Sequence, residues 1–368
     1  HHQDDLNDYY HNVTFYHNVL FYTLAPVSKS DVQGIFDTIL KLIQDSFQLN
    51  ATQINSLKES YFAEATIQNS GKGSYITKGN CGINTQAFPK FQDYINEFSG
   101  LPSLLDCIFH ILLSDSSEPI LLMGPSGYKT FISKLFLQKA KVVALTQETS
   151  VSQLIGSSAF LTKYEAKLFY LDLICRICHI YDCQKISTLK DKLSKGKLVR
   201  TDITSESKPY LQYNPAFTMT VNILTEKLFD NSTKSHDQNV LSDMVIEFRP
   251  GLFLLPILQG DSLILKNLSN LPTIHIERFN ETLTGKKNIT VTEDIHNTLT
   301  ESNQKELSGF SSFFRVFGTC PPNSVGKLSE ALLSRFTVIN TSEYTNDEQG
   351  NVLNSYNIIN AKQLSNDI

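Results

Sequence analysis

Apolar residues recur every three to four positions in the N-terminal part of the chain. Residues 28–31 (Ser-Lys-Ser-Asp) are typical of a helix start, and positions 32–43 then carry this spacing, which predicts a helix. An apolar run at residues 19–24 predicts a short strand. Residues 69–84 are rich in Gly, Ser, Thr and Asn, and this composition predicts a loop.

Short apolar runs then alternate with helical patterns along the rest of the chain. Strands are predicted at 119–123, 142–145, 262–265 and 313–319, and helices at 91–113, 130–138, 164–181 and 253–258. This alternation is typical of an α/β fold with a parallel sheet covered by helices on both faces. A segment rich in Lys, Ser and Asp, at about 162–243, is expected to form a helical insertion between the second and third core strands.

Composition narrows the class of protein only modestly. Hydrophobic residues make up 41% of the 368, which is enough for a sizeable core, and the net charge of -5 gives no signal for nucleic-acid binding. The longest apolar runs, 101–113 and 252–258, are too short or interrupted to span a bilayer, so no membrane partner is expected. The six cysteines lack the spacing of a disulfide framework, which favours an intracellular site, cytoplasmic or nuclear.

The strongest motif is a glycine-rich turn between a predicted strand and a predicted helix. Residues 120–130 have the sequence Ile-Leu-Leu-Met-Gly-Pro-Ser-Gly-Tyr-Lys-Thr. In a P-loop, backbone N–H groups and a helix N-terminus surround phosphate oxygens, the lysine reaches the β- and γ-phosphates, and the threonine holds Mg²⁺. The predicted nucleotide-binding residues are therefore Gly124, Pro125, Ser126, Gly127, Tyr128, Lys129 and Thr130, with Thr130 as the magnesium ligand.

The motif departs from the usual G-x-x-x-x-G-K-[ST] spacing. The loop is one residue shorter between Gly124 and Lys129, and Tyr128 replaces the last glycine. Tyrosine adopts a positive φ only at a cost, which weakens the expectation of tight nucleotide binding. A chance Gly-Pro-Ser-Gly turn followed by Lys-Thr is the alternative, but the flanking strand and helix favour the P-loop.

From about residue 91 to residue 344 the chain resembles the AAA+ modules of the midasin and dynein-related group. Besides the phosphate loop, the resemblance rests on five segments in the expected order: 145–156, 248–252 with 259–262, 283–287 with 289–291, 314–322, and 328–336. Segments 248–252 and 259–262 together are similar to the family's helix before the Walker B strand. The resemblance implies ATP or ADP as the cofactor, with Mg²⁺, and other AAA+ modules of the same chain or ring as partners.

The resemblance also implies that the hydrolytic residues are degenerate. The family has Asp-Glu after the third core strand, where this chain has Lys266 and Asn267, and a polar Asn at the sensor position, where it has Pro321. A lysine cannot bind magnesium, an asparagine cannot take a proton from water, and proline has no side-chain donor. Phosphoryl transfer depends on the metal and a positioned water, so most of the rate is expected to be lost.

Arg335 occupies the position of the family's arginine finger. The sequence Ala-Leu-Leu-Ser-Arg-Phe at 331–336 resembles the segment whose arginine acts on the nucleotide of a neighbouring module. The resemblance therefore implies a catalytic role for Arg335 in the adjacent module. The alternative is an arginine that closes a helix C-terminus.

The same resemblance implies a division of the chain. Residues 1–90 are expected to be a helical lid or linker of a preceding module, 91–345 the core, and 346–368 the start of an incomplete lid. We therefore expect a piece of a much longer polypeptide.

Residues 175–179 (Cys-Arg-Ile-Cys-His) match the attachment signature of c-type haem, and Cys183 adds a fourth possible zinc ligand. Cys175 and Cys178 share one helical face with apolar residues, and no second ligand pair is evident, so haem is not expected and zinc is disfavoured.

The function expected is a degenerate AAA+ module that binds ATP or ADP with little or no hydrolysis and acts structurally or regulatorily in a ring machine. One alternative is an active ATPase whose acidic residues come from elsewhere. Another is a protein-interaction scaffold with an empty nucleotide pocket.

Overall fold

A computed structural model gives the fold of most of the chain. The residues it describes are 29–70, 73–79, 81–85, 94, 98–114, 118–125, 127–137, 139–213, 217–230, 244–284, 288–300, 306–307, 314–322, 324, 327–345 and 348. The strand predicted at 19–24 and the Ser28 end of the predicted helix start lie outside these residues. Two structural units are formed, one from segments 1–138, 266–269 and 317–368, and the other from 139–265 and 270–316.

The first unit begins with two helices, α1 (Lys29–Phe47) and α2 (Ala51–Phe62). The predicted helix at 32–43 is thus confirmed. Asn50 caps α2 through a capping box with Gln53, which satisfies backbone N–H groups that the helix itself leaves free. The apolar faces of both helices share one small core, made of Phe36, Leu40, Ile43, Leu49 and Leu57.

A three-stranded antiparallel sheet follows, in the order β1-β2-β3 (Ala65–Ser70, Gly73–Lys78, Cys81–Asn84). The loop predicted at 69–84 is therefore wrong. Ile67 pairs with Ile76, and Ile76 with Ile83, while the hydroxyls of Thr66 and Thr77 lie 3.0 Å apart. Such β-branched cross-strand pairs stabilise strands even where glycine and asparagine are frequent nearby.

Helix α3 (Pro102–Leu113) is almost entirely apolar and precedes the central strand β4 (Ile120–Met123). Of the helix predicted at 91–113, the part at 102–113 is confirmed as α3, while Leu101 is not helical (φ -129°) and Pro102 occupies the first helical turn. After β4 comes α4 (Lys129–Phe136), where a helix was predicted at 130–138.

Five strands form the main sheet in the order β12-β4-β11-β8-β5, all parallel and flanked by helices. Besides β4, the sheet contains β5 (Ala140–Ala144), β8 (Ser262–Lys266), β11 (Val316–Cys320) and β12 (Thr337–Asn340). Strand β12 forms one edge of the sheet. These match the predicted strands at 142–145, 262–265 and 313–319, and they confirm the predicted α/β class with a parallel sheet. Every residue of β4 and β11 is buried, as parallel strands covered on both sides require.

The second unit contains the predicted insertion. Strand β6 (Gly156–Thr162) pairs antiparallel with β7 (Met244–Pro250), and between them lie α6 (Lys163–Ile177), α7 (Cys183–Ser194), α8 (Arg200–Tyr213) and α9 (Thr218–Phe229). Residues 248–250 lie in β7, so their comparison with a helix is wrong. The helix predicted at 253–258 is α10 (Leu254–Leu258), and a short helix, α5 (Val151–Leu154), precedes β6.

The remaining elements are short. They are α11 (Thr273–Glu277), α12 (Asn280–Leu283), the paired strands β9 (Ile289–Thr290) and β10 (Glu306–Leu307), and α13 (Glu330–Leu333). Buried Glu247 on β7 accepts hydrogen bonds from Thr298 Oγ1 at 2.8 Å and Lys227 Nζ at 3.1 Å, and these link β7, α9 and the loop before β10. None of the helices in the described segments is both long and apolar enough to cross a membrane.

Candidate phosphate-binding site

The glycine turn lies where the motif predicts, between β4 and α4. Gly124 has a φ of +148° and Gly127 a φ of +144°, values that residues with a Cβ rarely adopt. A Cβ at position 124 would also overlap the hydroxyl and carbonyl oxygens of Thr341. Tyr128, in contrast, has a φ of -77° and is right-handed helical, so in this shortened loop it needs no positive φ. The expected strain at Tyr128 is therefore absent.

The turn stands at a point of the sheet where ligands commonly bind. Strands β4 and β11 are neighbours, but the chain leaves β4 toward β5 on one side and leaves β11 toward β12 on the other. In open α/β sheets such a reversal opens a crevice at the carboxyl ends of the two strands. The N–H of Gly124 donates to the carbonyl of Cys320 at 3.2 Å, so the two strand ends meet at the turn.

Lys129 is the first residue of α4, and its side chain is buried, with 9% of the residue exposed. Its ammonium donates to the carbonyl oxygens of Gly124 and Pro125. Burial lowers the pKa of Lys129, while the nearby Cys320 and Cys107 thiols oppose that shift. Among the described residues, no carboxylate forms an ion pair with this ammonium. Within the described part of the chain, Lys129 is therefore a buried cation whose hydrogen-bond acceptors are backbone carbonyls.

The other predicted binding residues occupy the same turn. Pro125 is half-buried and supplies one of the two carbonyls that Lys129 contacts. Thr130, the predicted magnesium ligand, is half-buried in the first turn of α4. Ser126 lies outside the described residues.

The predicted Walker B positions lie at the carboxyl end of β8. Lys266 is the last residue of the strand, and Asn267 follows it with a φ of +59°. The Asn267 N–H donates to Thr319 Oγ1 at 3.4 Å, which joins this turn to strand β11. Pro321, the predicted sensor position, follows β11 directly and is exposed. These three positions offer a cation, an amide and an apolar ring, so none of them can supply a carboxylate to a metal or a base to water.

Tyr128 contacts the segment that follows β12. Its hydroxyl donates to the carbonyl of Ser342 at 3.1 Å, and its ring lies 5.1 Å from that of Tyr344. Burial raises the pKa of Tyr128, so the phenol stays a neutral donor. The motif predicts Tyr128 as a nucleotide-binding residue in place of the last glycine, and it gives no signal for this contact.

Glu348 is a residue that sequence analysis missed. Its carboxylate accepts from the backbone N–H of Ser103 at 2.7 Å, from Ser103 Oγ at 2.9 Å and from the N–H of Thr345 at 2.7 Å. Burial alone would raise the pKa of Glu348, but these hydrogen bonds outweigh it and the pKa is lowered. Glu348 therefore caps the first turn of α3 as a carboxylate. No local signal could reveal this, because Ser103 and Glu348 are 245 positions apart.

Arg335 lies just after α13. Its guanidinium donates through Nη1 to the carbonyl of Ala331, within the same helix end. This is the contact expected of an arginine that closes a helix C-terminus. The role of Arg335 as an arginine finger stays a prediction.

The Cys-x-x-Cys-His segment forms the end of helix α6. The N–H of Ile180 donates to the carbonyl of Cys175 at 2.8 Å and that of His179 to Arg176 at 3.2 Å, which together make a Schellman motif. His179 has a φ of +52° at the position that glycine usually occupies. Its Nε2 faces the carbonyl of Gln259, and its Nδ1 lies 2.9 Å from the hydroxyl of Tyr181.

Both ring nitrogens of His179 are thus engaged within the protein, whereas Cys175 and Cys178 are buried and Cys183 is exposed. Within the described part of the chain, no three His, Cys, Asp or Glu side chains are grouped so that they could hold a metal ion. The spacing of this segment is accounted for by helix termination.

Comparison with known proteins identifies no family for this chain. No protein-family model matches it, and no curated protein matches its sequence.

Proposed function

We propose that this chain is a nucleotide-binding module of the P-loop class that binds ATP or ADP with little or no hydrolysis. In this proposal it serves a structural or regulatory role among AAA+ modules of a ring assembly. The observation that carries the proposal is the buried ammonium of Lys129, which lies at a glycine turn and, among the described residues, is bonded to backbone carbonyls and to no carboxylate.

A buried charge is costly unless an opposite charge compensates it. The two carbonyl oxygens accept two of the three N–H bonds that the Lys129 ammonium can donate, and they leave its net charge in place. A phosphate chain would supply the missing negative charge, and the N-terminus of α4 adds a favourable dipole. An uncompensated cation at this position therefore supports anion binding over a purely structural turn.

The neighbouring positions argue against hydrolysis. Lys266 brings a positive charge to the place where a magnesium ligand is needed, and Asn267 cannot act as a general base. Mg²⁺ bound with the nucleotide would have Thr130 as its protein ligand, and the metal would neutralise phosphate charge. Positions 266 and 267 would provide no carboxylate to orient an attacking water.

The scaffold with an empty pocket remains the competing proposal. It is favoured by the contacts of Lys129 with its own loop, because these give the ammonium two acceptors without any ligand. Nucleotide binding that depends on Lys129 would support the nucleotide-binding module over the scaffold.

The test is equilibrium binding of ATP carrying a fluorescent ribose label to the purified chain. Lys129→Ala is expected to weaken binding at least about tenfold, since the ion pair with the phosphates is lost. Lys134→Ala is the matched control, because Lys134 lies on the same helix but is exposed. The native chain is expected to release inorganic phosphate from ATP no faster than the Lys129→Ala variant does.

Equal binding by the native chain and Lys129→Ala contradicts the assigned site. If the native chain hydrolyses ATP at a rate typical of AAA+ ATPases and Lys129→Ala abolishes that activity, the proposed lack of hydrolysis is wrong. No binding by either protein favours the scaffold.

A further inference from the structure

The residues that follow β12, namely 341–345 and Glu348, form what we term the closing segment. Thr341 extends the pairing of β12 with β4, since its N–H donates to the carbonyl of Met123 at 2.6 Å and its hydroxyl to the same carbonyl at 3.0 Å. Because Gly124 follows Met123 and has no room for a Cβ beside Thr341, the start of the phosphate loop is in direct contact with this segment.

The closing segment also holds the other end of the loop. Tyr128 immediately precedes Lys129, and its hydroxyl and ring bind Ser342 and Tyr344 as described above. Both ends of the phosphate loop are therefore attached to the same stretch of chain.

A separate anchor fixes the far end of this segment. Glu348 is 2% exposed and is bound to the first turn of α3 through two donors of Ser103. The hydroxyl of Ser103 also lies 3.4 Å from the carbonyl of Glu343. Charge-assisted hydrogen bonds in a buried position are among the stronger ones, so this anchor resists release.

With the loop held at both ends, the carbonyl oxygens of Gly124 and Pro125 face the ammonium of Lys129. These oxygens carry partial negative charge and accept two of the three N–H bonds that the ammonium can donate, so they compete with phosphate oxygens for the lysine. Phosphate oxygens can take over these two N–H bonds only if the carbonyls move away, and the attachment of Gly124 and Tyr128 opposes that movement of the loop.

We infer that the closing segment is an autoinhibitory contact that keeps the phosphate loop closed, and that its release from Tyr128 and Ser103 accompanies nucleotide binding. The inference rests on the proposed function. When the competent state is only partly populated, the apparent dissociation constant rises by the inverse of that fraction. Weakening the closed state should therefore tighten binding.

Tyr128→Phe is the sharpest variant, because it removes one hydroxyl and keeps the ring. Labelled ATP is expected to bind about fivefold more tightly, the equivalent of about 1 kcal/mol for one hydrogen bond. Glu348→Gln should act in the same direction. Tyr164→Phe is the control, since Tyr164 is exposed on α6 in the second unit. Thermal melting by circular dichroism checks that each variant is folded.

Hydrogen exchange gives a second measurement that does not depend on affinity. In the native chain, ATP should speed exchange at the amides of Thr341 and Thr345, whose bonds to Met123 and Glu348 close the segment. In the Lys129→Ala variant, ATP should leave the exchange rates of both amides unchanged.

If ATP binding depends on Lys129 but Tyr128→Phe binds ATP no more tightly than the native chain, the inference is wrong and the proposed function still stands. The same holds for binding without faster exchange at Thr341 and Thr345. If no variant shows Lys129-dependent binding, both proposals fail.

Discussion

At the scale of single residues, His179 shows how one backbone conformation can account for an apparent metal motif. The residue combines a left-handed φ of +52° with side-chain contacts to Gln259 and Tyr181. A left-handed conformation costs about 1–2 kcal/mol for residues with a Cβ, and glycine avoids this cost. The side chain must therefore offset strain that glycine would not have.

Two variants of His179 separate the backbone cost from the side-chain contacts. His179→Ala loses both hydrogen bonds and keeps the strain, whereas His179→Gly loses the bonds but relieves it. We expect His179→Ala to be the less stable of the two by about 1 kcal/mol, measured by urea denaturation. If both variants lose the same stability, and metal bound to the native chain is missing from both, His179 is instead a metal ligand.

The same variants should change the dependence of stability on pH. Burial lowers the pKa of His179, with Lys139 adding to the effect, against opposing contributions from Gln259 and Asp261. The unfolded chain then takes up a proton at a higher pH than the folded one. The contribution of His179 is present above the unfolded pKa of about 6.5 and is lost as pH falls from there through the lower pKa of the folded state. His179→Gly should flatten this part of the curve.

At the scale of elements, the three-stranded sheet is attached to α3 by a buried ion pair. Lys78 on β2 bonds to Asp106 on α3, and their side chains are only 7% and 15% exposed. His110 lies 4.0 Å from the same carboxylate, and the Lys78 ammonium lies 5.4 Å from the centre of the Tyr61 ring. Lys78 shares its strand face with Ile76, so a lysine occupies an inward position of the sheet.

Removing one partner of this pair should cost more than removing both. Asp106→Ala leaves the buried Lys78 without its carboxylate and is expected to destabilise the chain by about 3 kcal/mol in urea denaturation. Adding Lys78→Met should recover part of that loss. Lys58→Met is the control, because its pair with Asp37 is exposed. Additive effects of the two substitutions at 78 and 106 would show that the pair is not coupled.

At the scale of the whole molecule, the strand order brings together residues that are far apart in sequence. The carboxyl ends of β4, β11 and β8 lie side by side at Gly124, Pro321 and Lys266. Under the proposed function, a metal bound with the nucleotide would have Lys266 at the third strand end in place of a carboxylate. This arrangement disfavours divalent cations at that position.

The affinity for labelled ATP should therefore depend little on Mg²⁺, changing by less than about twofold when EDTA replaces the metal. Lys266→Asp introduces a hard oxygen ligand and is expected to make Mg²⁺ tighten binding about tenfold. Lys266→Ala is the control, since it removes the positive charge without adding a ligand. A strong Mg²⁺ dependence in the native chain would contradict the assignment of Lys266.

The local pattern of the sequence determined the parallel-sheet class, the four main strands and the glycine turn with Lys129. Buried parallel strands are continuous apolar runs and helix starts carry local capping residues, so both can be recognised over a few positions. The turn conformations at Gly124 and Gly127 follow from the same short stretch.

Tertiary structure alone decided the features that depend on distant partners. The sheet at 65–84 escaped prediction because much of it is rich in Gly, Ser, Thr and Asn, which is typical of a loop, whereas its inward Lys78 is paired with Asp106, 28 positions away. The haem-like spacing at 175–179 turned out to be a helix end stabilised by Gln259, 80 positions on. The contacts of Tyr128 with Ser342 and of Ser103 with Glu348 join segments more than 200 positions apart. A buried polar group is stable only when its partner is present, and the sequence does not state which residue that partner is.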